Sequence, residues 1–181
     1  METSRTAPAQ PTARQPVAKQ QSVILRAWQQ QALRSFVANE APSFLTVACP
    51  GAGKTSFALV AARQWCAGQA RPFVVVVPTQ HLKKQWADAA LKFGFHLDPA
   101  WSASNGKPAV DMHGVVVTYA QASSSWVELA AYSRGGIVVL DEVHHAASDR
   151  SWGDGVERAF TGAATRLLLS GTPFRTDDSP I

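Results

Sequence analysis

The sequence predicts an α/β fold in which a mostly parallel central sheet is flanked by helices. Three observations carry this. Short apolar runs recur: "FLTVA" (44–48), "FVVVV" (73–77), "GVVVT" (114–118), "GIVVLD" (136–141) and "TRLLLS" (165–170). They are nearly continuous in Val, Leu and Ile rather than alternating, which marks strands buried on both faces, as in a parallel sheet. Stretches of helical period lie between them, and strand–helix alternation implies right-handed βαβ crossovers. Such sheets bind ligands at the carboxyl ends of their strands, so function is expected just after each apolar run.

Taken in order, residues 1–22 hold no apolar periodicity and are dominated by Pro, Gln, Thr and Ala. Such a stretch cannot bury enough surface to offset its ordering entropy, and a flexible tail is expected. Arg5, Arg14 and Lys19 beside the single acid Glu2 leave an organelle transit peptide as the alternative. Leu25, Trp28, Ala32, Leu33, Phe36 and Val37 share one helical face. After the first strand, "TSFALVAARQW" reads as a helix. Leu82, Trp86, Ala90 and Phe93 form a second apolar stripe, and Trp152, Val156 and Phe160 a third. Residues 94–113 are irregular and read as a long surface connection with room for one short extra strand.

A chain of 181 residues, 46% apolar, suits one domain, and one this size buries roughly 70% of the surface its unfolded chain exposes. The net charge of +4 fits a polyanionic partner without requiring one. Cys49 and Cys66 are the only cysteines, which excludes a disulfide framework and fits reduced thiols in the cytoplasm. No apolar run approaches the ~18–20 residues of a membrane span, and no membrane partner is expected.

The chemistry concentrates at "ACPGAGKT" (48–55), between a buried strand and a helix. Glycines at 51 and 53 let the backbone curl until N–H groups point inward, and the helix N-terminus adds partial positive charge. Pro50, Gly51, Ala52, Gly53, Lys54, Thr55 and Ser56 form the expected phosphate cradle. Lys54 would reach the terminal phosphates, and the Thr55 hydroxyl would ligate Mg²⁺. The strict pattern wants glycine where Ala48 stands, so the match is to a variant. The partner acids are in "VVLDEVHH" (138–145). Asp141 would hold Mg²⁺, and Glu142 would polarise the attacking water. No H-E-x-x-H spacing supports zinc at His144 and His145; His144 is expected under the γ-phosphate as a hydrogen-bonding relay.

These residues resemble the ATP-binding core of superfamily 2 helicases and translocases of the DExH kind. "ACPGAGKT" is similar to their first motif, A-x-x-G-x-G-K-T, where Ala48 is regular, and "DEVHH" to their Asp-Glu-x-His motif. "LSGTPFR" (169–175) resembles the third, "VVPTQHLKKQW" (76–86) motif Ia, "VVTYAQ" (116–121) the Ib-like segment, and "LRAWQQQAL" (25–33) the adenine-reading element. The resemblance runs over residues 25–175 in the family's order. It implies a RecA-like P-loop NTPase fold of three layers over 23–181, with ATP and Mg²⁺ as cofactors. Gln29 would read adenine, its alternative being a polar position on an amphipathic helix. Ser170 and Thr172 would couple hydrolysis to movement. Thr79, expected to cap its helix, with Lys83 and Thr118 would meet nucleic acid, DNA before RNA; ordinary capping, a solvated basic face and strand termination are the alternatives.

In the family a second RecA-like lobe supplies arginine fingers, worth roughly 10³–10⁵ in rate. No second set of motifs follows the third here, and Arg175 belongs to the first lobe. The expectation is therefore one lobe of a nucleic-acid-dependent ATPase, weakly active alone, with the second lobe joined in cis or trans. The alternatives are a binding module without significant turnover and another P-loop ATPase class.

Overall fold

A computed structural model of the chain describes residues 24–144 and 150–171. In order these form α1 (Ala27–Val37), β1 (Ser43–Val47), α2 (Lys54–Cys66), β2 (Phe73–Val77), α3 (Gln80–Leu91), β3 (Leu97–Asp98), β4 (Gly114–Thr118), α4 (Tyr119–Ser124), α5 (Trp126–Ser133), β5 (Ile137–Leu140), α6 (Arg150–Phe160) and β6 (Thr165–Ser170). The strands form one six-stranded sheet in the order β1-β6-β5-β2-β4-β3, every neighbouring pair parallel. This is the expected α/β architecture.

The core explains the apolar runs. Side chains alternate across a strand, so Phe73, Val75 and Val77 of β2 enter one layer and Val74 and Val76 the other. α1, α2 and α3 cover the first face, where Phe36, Phe57, Leu59 and Trp86 pack. α4, α5 and α6 cover the second, through Tyr119, Leu129, Val156 and Phe160. A strand with helices on both sides has no solvent face, and all five residues of β2 are buried.

The edges depart from expectation. β1 starts and ends one residue early, at Ser43–Val47, and it pairs only with β6. Leu45 and Val47 are exposed there, because an edge strand has a neighbour on one side only; Val37, at the end of α1, is exposed as well. The irregular 94–113 segment contains the short extra strand, β3, at the opposite edge. α4 and α5, which no apolar stripe announces, fill the β4–β5 connection.

Candidate nucleotide site

The parallel register gathers the carboxyl ends of the strands on one edge of the sheet. Val47 lies opposite Ser170, Val77 opposite Thr118, and Leu140 opposite both Val76 and Leu168. The segments after β1, β5 and β6 therefore emerge together.

After β1 the chain turns through residues 48–53. Ala48 N–H donates to Ser170 O at 3.1 Å, and Ala52 N–H to Cys49 O at 3.1 Å. Gly53 is the N-cap of α2 with φ +95°, a left-handed conformation that L side chains rarely adopt. No side chain caps α2, which leaves the first amides of Lys54, Thr55 and Ser56 for an acceptor that the helix does not supply. Gln29 braces the turn from α1. It is buried, its amide donates to Gly53 O at 2.9 Å, and its Oε1 accepts from Arg26 N–H at 2.8 Å. Trp28 Nε1 adds a bond to Ala52 O at 3.2 Å.

Lys54 is 9% exposed, and its Nζ lies 3.0 Å from Ala48 O and 3.1 Å from Glu142 Oε1. Glu142 has φ +50°, which costs a non-glycine residue about 1–2 kcal/mol. Its carboxylate is held on the other side by Gly171 N–H, 2.8 Å from Oε2. His144 Nδ1 lies 3.6 Å from Glu142 Oε2 and 3.4 Å from Ser170 Oγ. Cradle and acids thus converge, as do the ends of β5 and β6. Thr172, Arg175 and His145 lie outside the described residues, as do residues 1–22 of the expected tail.

The two acids are tuned in opposite directions. Burial pushes the Asp141 carboxyl up, with the neighbouring Glu142 charge adding to it, against the bond from Trp86 and the Lys54 charge. For Glu142 burial acts upward as well, but Gly171 N–H, Lys54 and His144 outweigh it and hold the group below its ordinary value. A dication relieves the repulsion between adjacent carboxylates. Among the described residues no group of His, Cys, Asp and Glu could hold a metal by itself. Mg²⁺ typically binds through one or two carboxylates plus substrate phosphates, and Thr55 and Asp141 could take part in holding it.

Asp141 is gripped from both layers. Trp86 Nε1 donates to its Oδ2 at 2.8 Å, and Tyr119 OH donates to its backbone O at 2.9 Å. Burial, with the Asp141 and Glu142 charges, pushes the Tyr119 phenol well up and keeps it a donor. The sequence marks Trp86 only as part of an apolar stripe, and no local signal pairs it with Asp141.

At the β2 and β4 ends, Thr79 is the N-cap of α3, but its side chain makes no capping bond; the expected hydroxyl cap is absent. Thr118 does cap α4, accepting from Gln121 N–H at 3.2 Å. Lys83 is not on a solvated basic face. It is buried and its Nζ donates to Gln121 Oε1 at 3.0 Å, whereas the neighbouring Lys84 is exposed and pairs with Asp88. No described helix is long and apolar enough to cross a membrane.

Comparison with known proteins adds to this geometry. Residues 22–175 match the family of the type III restriction enzyme res subunit. An uncharacterized protein of Mycobacterium tuberculosis is 46% identical over 170 residues, covering 92% of this chain and 28% of the relative. One of Mycobacterium leprae is 42% identical over 160 residues, covering 87% and 27%. The chain thus spans little more than a quarter of the length of these relatives. Among solved structures, the UvsW helicase of bacteriophage T4 superposes with a TM-score of 0.67 at 15% identity, over 91% of this chain and 58% of that one. The Hef helicase domain of Pyrococcus furiosus gives 0.66 at 18%, over 83% and 33%. The type ISP restriction-modification enzyme LlaGI, in complex with a DNA substrate mimic, gives 0.64 at 16%, over 87% and 18%. These likenesses are of fold.

Proposed function

Because the chain belongs to the family of the type III restriction enzyme res subunit, within helicase superfamily 2, we propose that it is the ATP-binding lobe of a nucleic-acid-dependent ATPase that couples hydrolysis to movement on DNA. The observation that carries this is the convergence of Lys54 and Glu142, 3.1 Å apart, from the starts of the cradle helix and of the Asp-Glu segment.

The residues divide the work. The amides opening α2 and the Lys54 ammonium bind the β- and γ-phosphates. Gln29, already bonded to the cradle at Gly53 O, would read the base. Mg²⁺ held by Thr55 and Asp141 would neutralise charge on the phosphates as the bond to the leaving diphosphate breaks. Glu142 accepts the proton of the attacking water. Paired with Lys54 it is a weak base, since a general base works best with a pKa near ambient pH. A triphosphate competes for the same ammonium, so binding substrate releases Glu142 and raises its basicity. His144, between Glu142 and Ser170, connects this event to the end of β6, where Thr172 follows.

The nucleic-acid edge is assigned to the β2 and β4 ends, at Thr79 and Thr118. Lys83 is given a structural tie to Gln121 instead of a phosphate contact. The fold likeness to an enzyme complexed with a DNA substrate mimic supports a nucleic-acid partner, and DNA is the one proposed. A second lobe completes the site.

The test measures binding of a fluorescent ATP analogue to the 181-residue chain with and without Mg²⁺, then hydrolysis with single-stranded DNA, duplex DNA or RNA. Expected are Mg²⁺-dependent binding and slow turnover that DNA raises. Absence of nucleotide binding, or strong preference for RNA, would overturn the respective part.

A further inference from the structure

Asp141 is held by three elements at once. Its N–H donates to Val76 O of β2 at 2.9 Å. Its carbonyl accepts from Tyr119 OH of α4, and its Oδ2 from Trp86 Nε1 of α3. Trp86 is 2% exposed and Tyr119 fully buried, so water cannot readily replace either donor. A rotation of the carboxylate would leave a buried indole N–H unpaired.

The helix that carries the indole is itself clamped. One turn before Trp86, Lys83 donates to Gln121 Oε1 at 3.0 Å, and the same oxygen accepts from Thr118 N–H at 3.0 Å. α3 is thereby tied to the start of α4 at one point and to Asp141 at the next.

We propose that Trp86 is a positioning residue for Asp141: its indole N–H fixes the carboxylate in the orientation that receives Mg²⁺ with the nucleotide. This rests on the nucleotide-binding assignment above. The competing account is that Asp141 merely satisfies an indole whose task is to fill the core. The two differ in what removal of the N–H does to the metal. Outer partners of metal ligands typically change metal affinity about 10–100-fold when lost.

The experiment titrates Mg²⁺ against binding of the fluorescent ATP analogue to the full chain. Trp86→Phe is expected to raise the Mg²⁺ concentration at half-saturation about tenfold or more and to leave binding in EDTA unchanged. In an Asp141→Asn background the same change should have no further effect, because the partner charge is gone. Phe93→Leu, which thins the core just past α3, should leave the Mg²⁺ midpoint where it was. Benzothienylalanine at position 86 keeps the bicycle but lacks the N–H; it should reproduce the shift without a cavity if Trp86→Phe folds poorly. An unchanged midpoint in either position-86 variant, or an equal shift in Phe93→Leu, overturns the proposal while the nucleotide site stands. Wild-type chain that binds nucleotide no better than Lys54→Ala overturns the site itself, and the proposal with it.

Discussion

Lys54 and Glu142 neutralise one another across the end of the sheet, Nζ to Oε1 at 3.1 Å, with the ammonium almost wholly buried. A buried ammonium needs partners, and here one is a carboxylate and the other the Ala48 carbonyl. The contact joins the segment that follows β1 to the one that follows β5.

Lys54→Ala should weaken binding of Mg-ATP at least tenfold, since a charge-assisted bond is worth roughly 1.5–3 kcal/mol. Glu142→Gln should keep nucleotide affinity within a few-fold and lose hydrolysis by about 10²–10⁴. Equilibrium binding and single-turnover hydrolysis measured on both variants decide this. Equal residual rates in Glu142→Gln and the parent would remove Glu142 from the role of base.

The two acids give opposite pH signatures in stability. Glu142 is held below the ordinary glutamate value of 4.5, so its contribution is present above that pH and is lost as pH falls through the folded value. Asp141 is raised above 3.8, so the folded state is favoured below 3.8 and loses that advantage as pH rises through the folded value. Asp141→Asn is therefore expected to melt above the parent at pH 7 and level with it below pH 3.8. Glu142→Gln is expected to melt below the parent at pH 7, with the gap closing in acid. Melting curves from about pH 3 to 7 read both; parallel profiles for the two variants would contradict the assignment.

Cys49 is exposed and Cys66 buried, and burial pushes the Cys66 thiol up to about 11 despite the Arg71 charge. At pH 8 the thiolate is the reactive form, so one thiol per native chain should alkylate and the second only on unfolding. Cys49 lies within the cradle turn, and Mg-ATP should slow its labelling. Mass spectrometry after iodoacetamide treatment tests both statements. Simultaneous loss of both thiols would contradict the burial, and labelling indifferent to Mg-ATP would count against the cradle.

Two glycines beside the site should respond differently to alanine. At Gly53, φ is +95° and an added Cβ would come within 2.7 Å of Gln29 Nε2, so Gly53→Ala should lower the melting temperature, lose the brace from Gln29 and weaken nucleotide binding. At Gly171 an added Cβ would sit 3.4 Å from Glu142 Oε2, an ordinary contact, so Gly171→Ala should melt close to the parent. Equal melting temperatures for the two variants would remove the conformational requirement at residue 53.

The strands and the cradle were legible in the linear order of residues because their causes are local. A strand covered on both faces must be apolar at every position, and "FVVVV" is. A backbone that curls ahead of a helix needs glycine at 51 and 53, and both have positive φ. What residue order could not decide is which strands lie side by side. β5 lies beside β2, although α3, β3, β4, α4 and α5 separate them in sequence, and that adjacency helps bring Trp86 to Asp141. A bond from α3 to the start of α4 holds Lys83 buried on Gln121, while Lys84 stays in water, although the two are neighbours of identical chemistry. Periodicity reports which face of an element is apolar; the partner a polar group finds inside depends on the arrangement of all the elements around it.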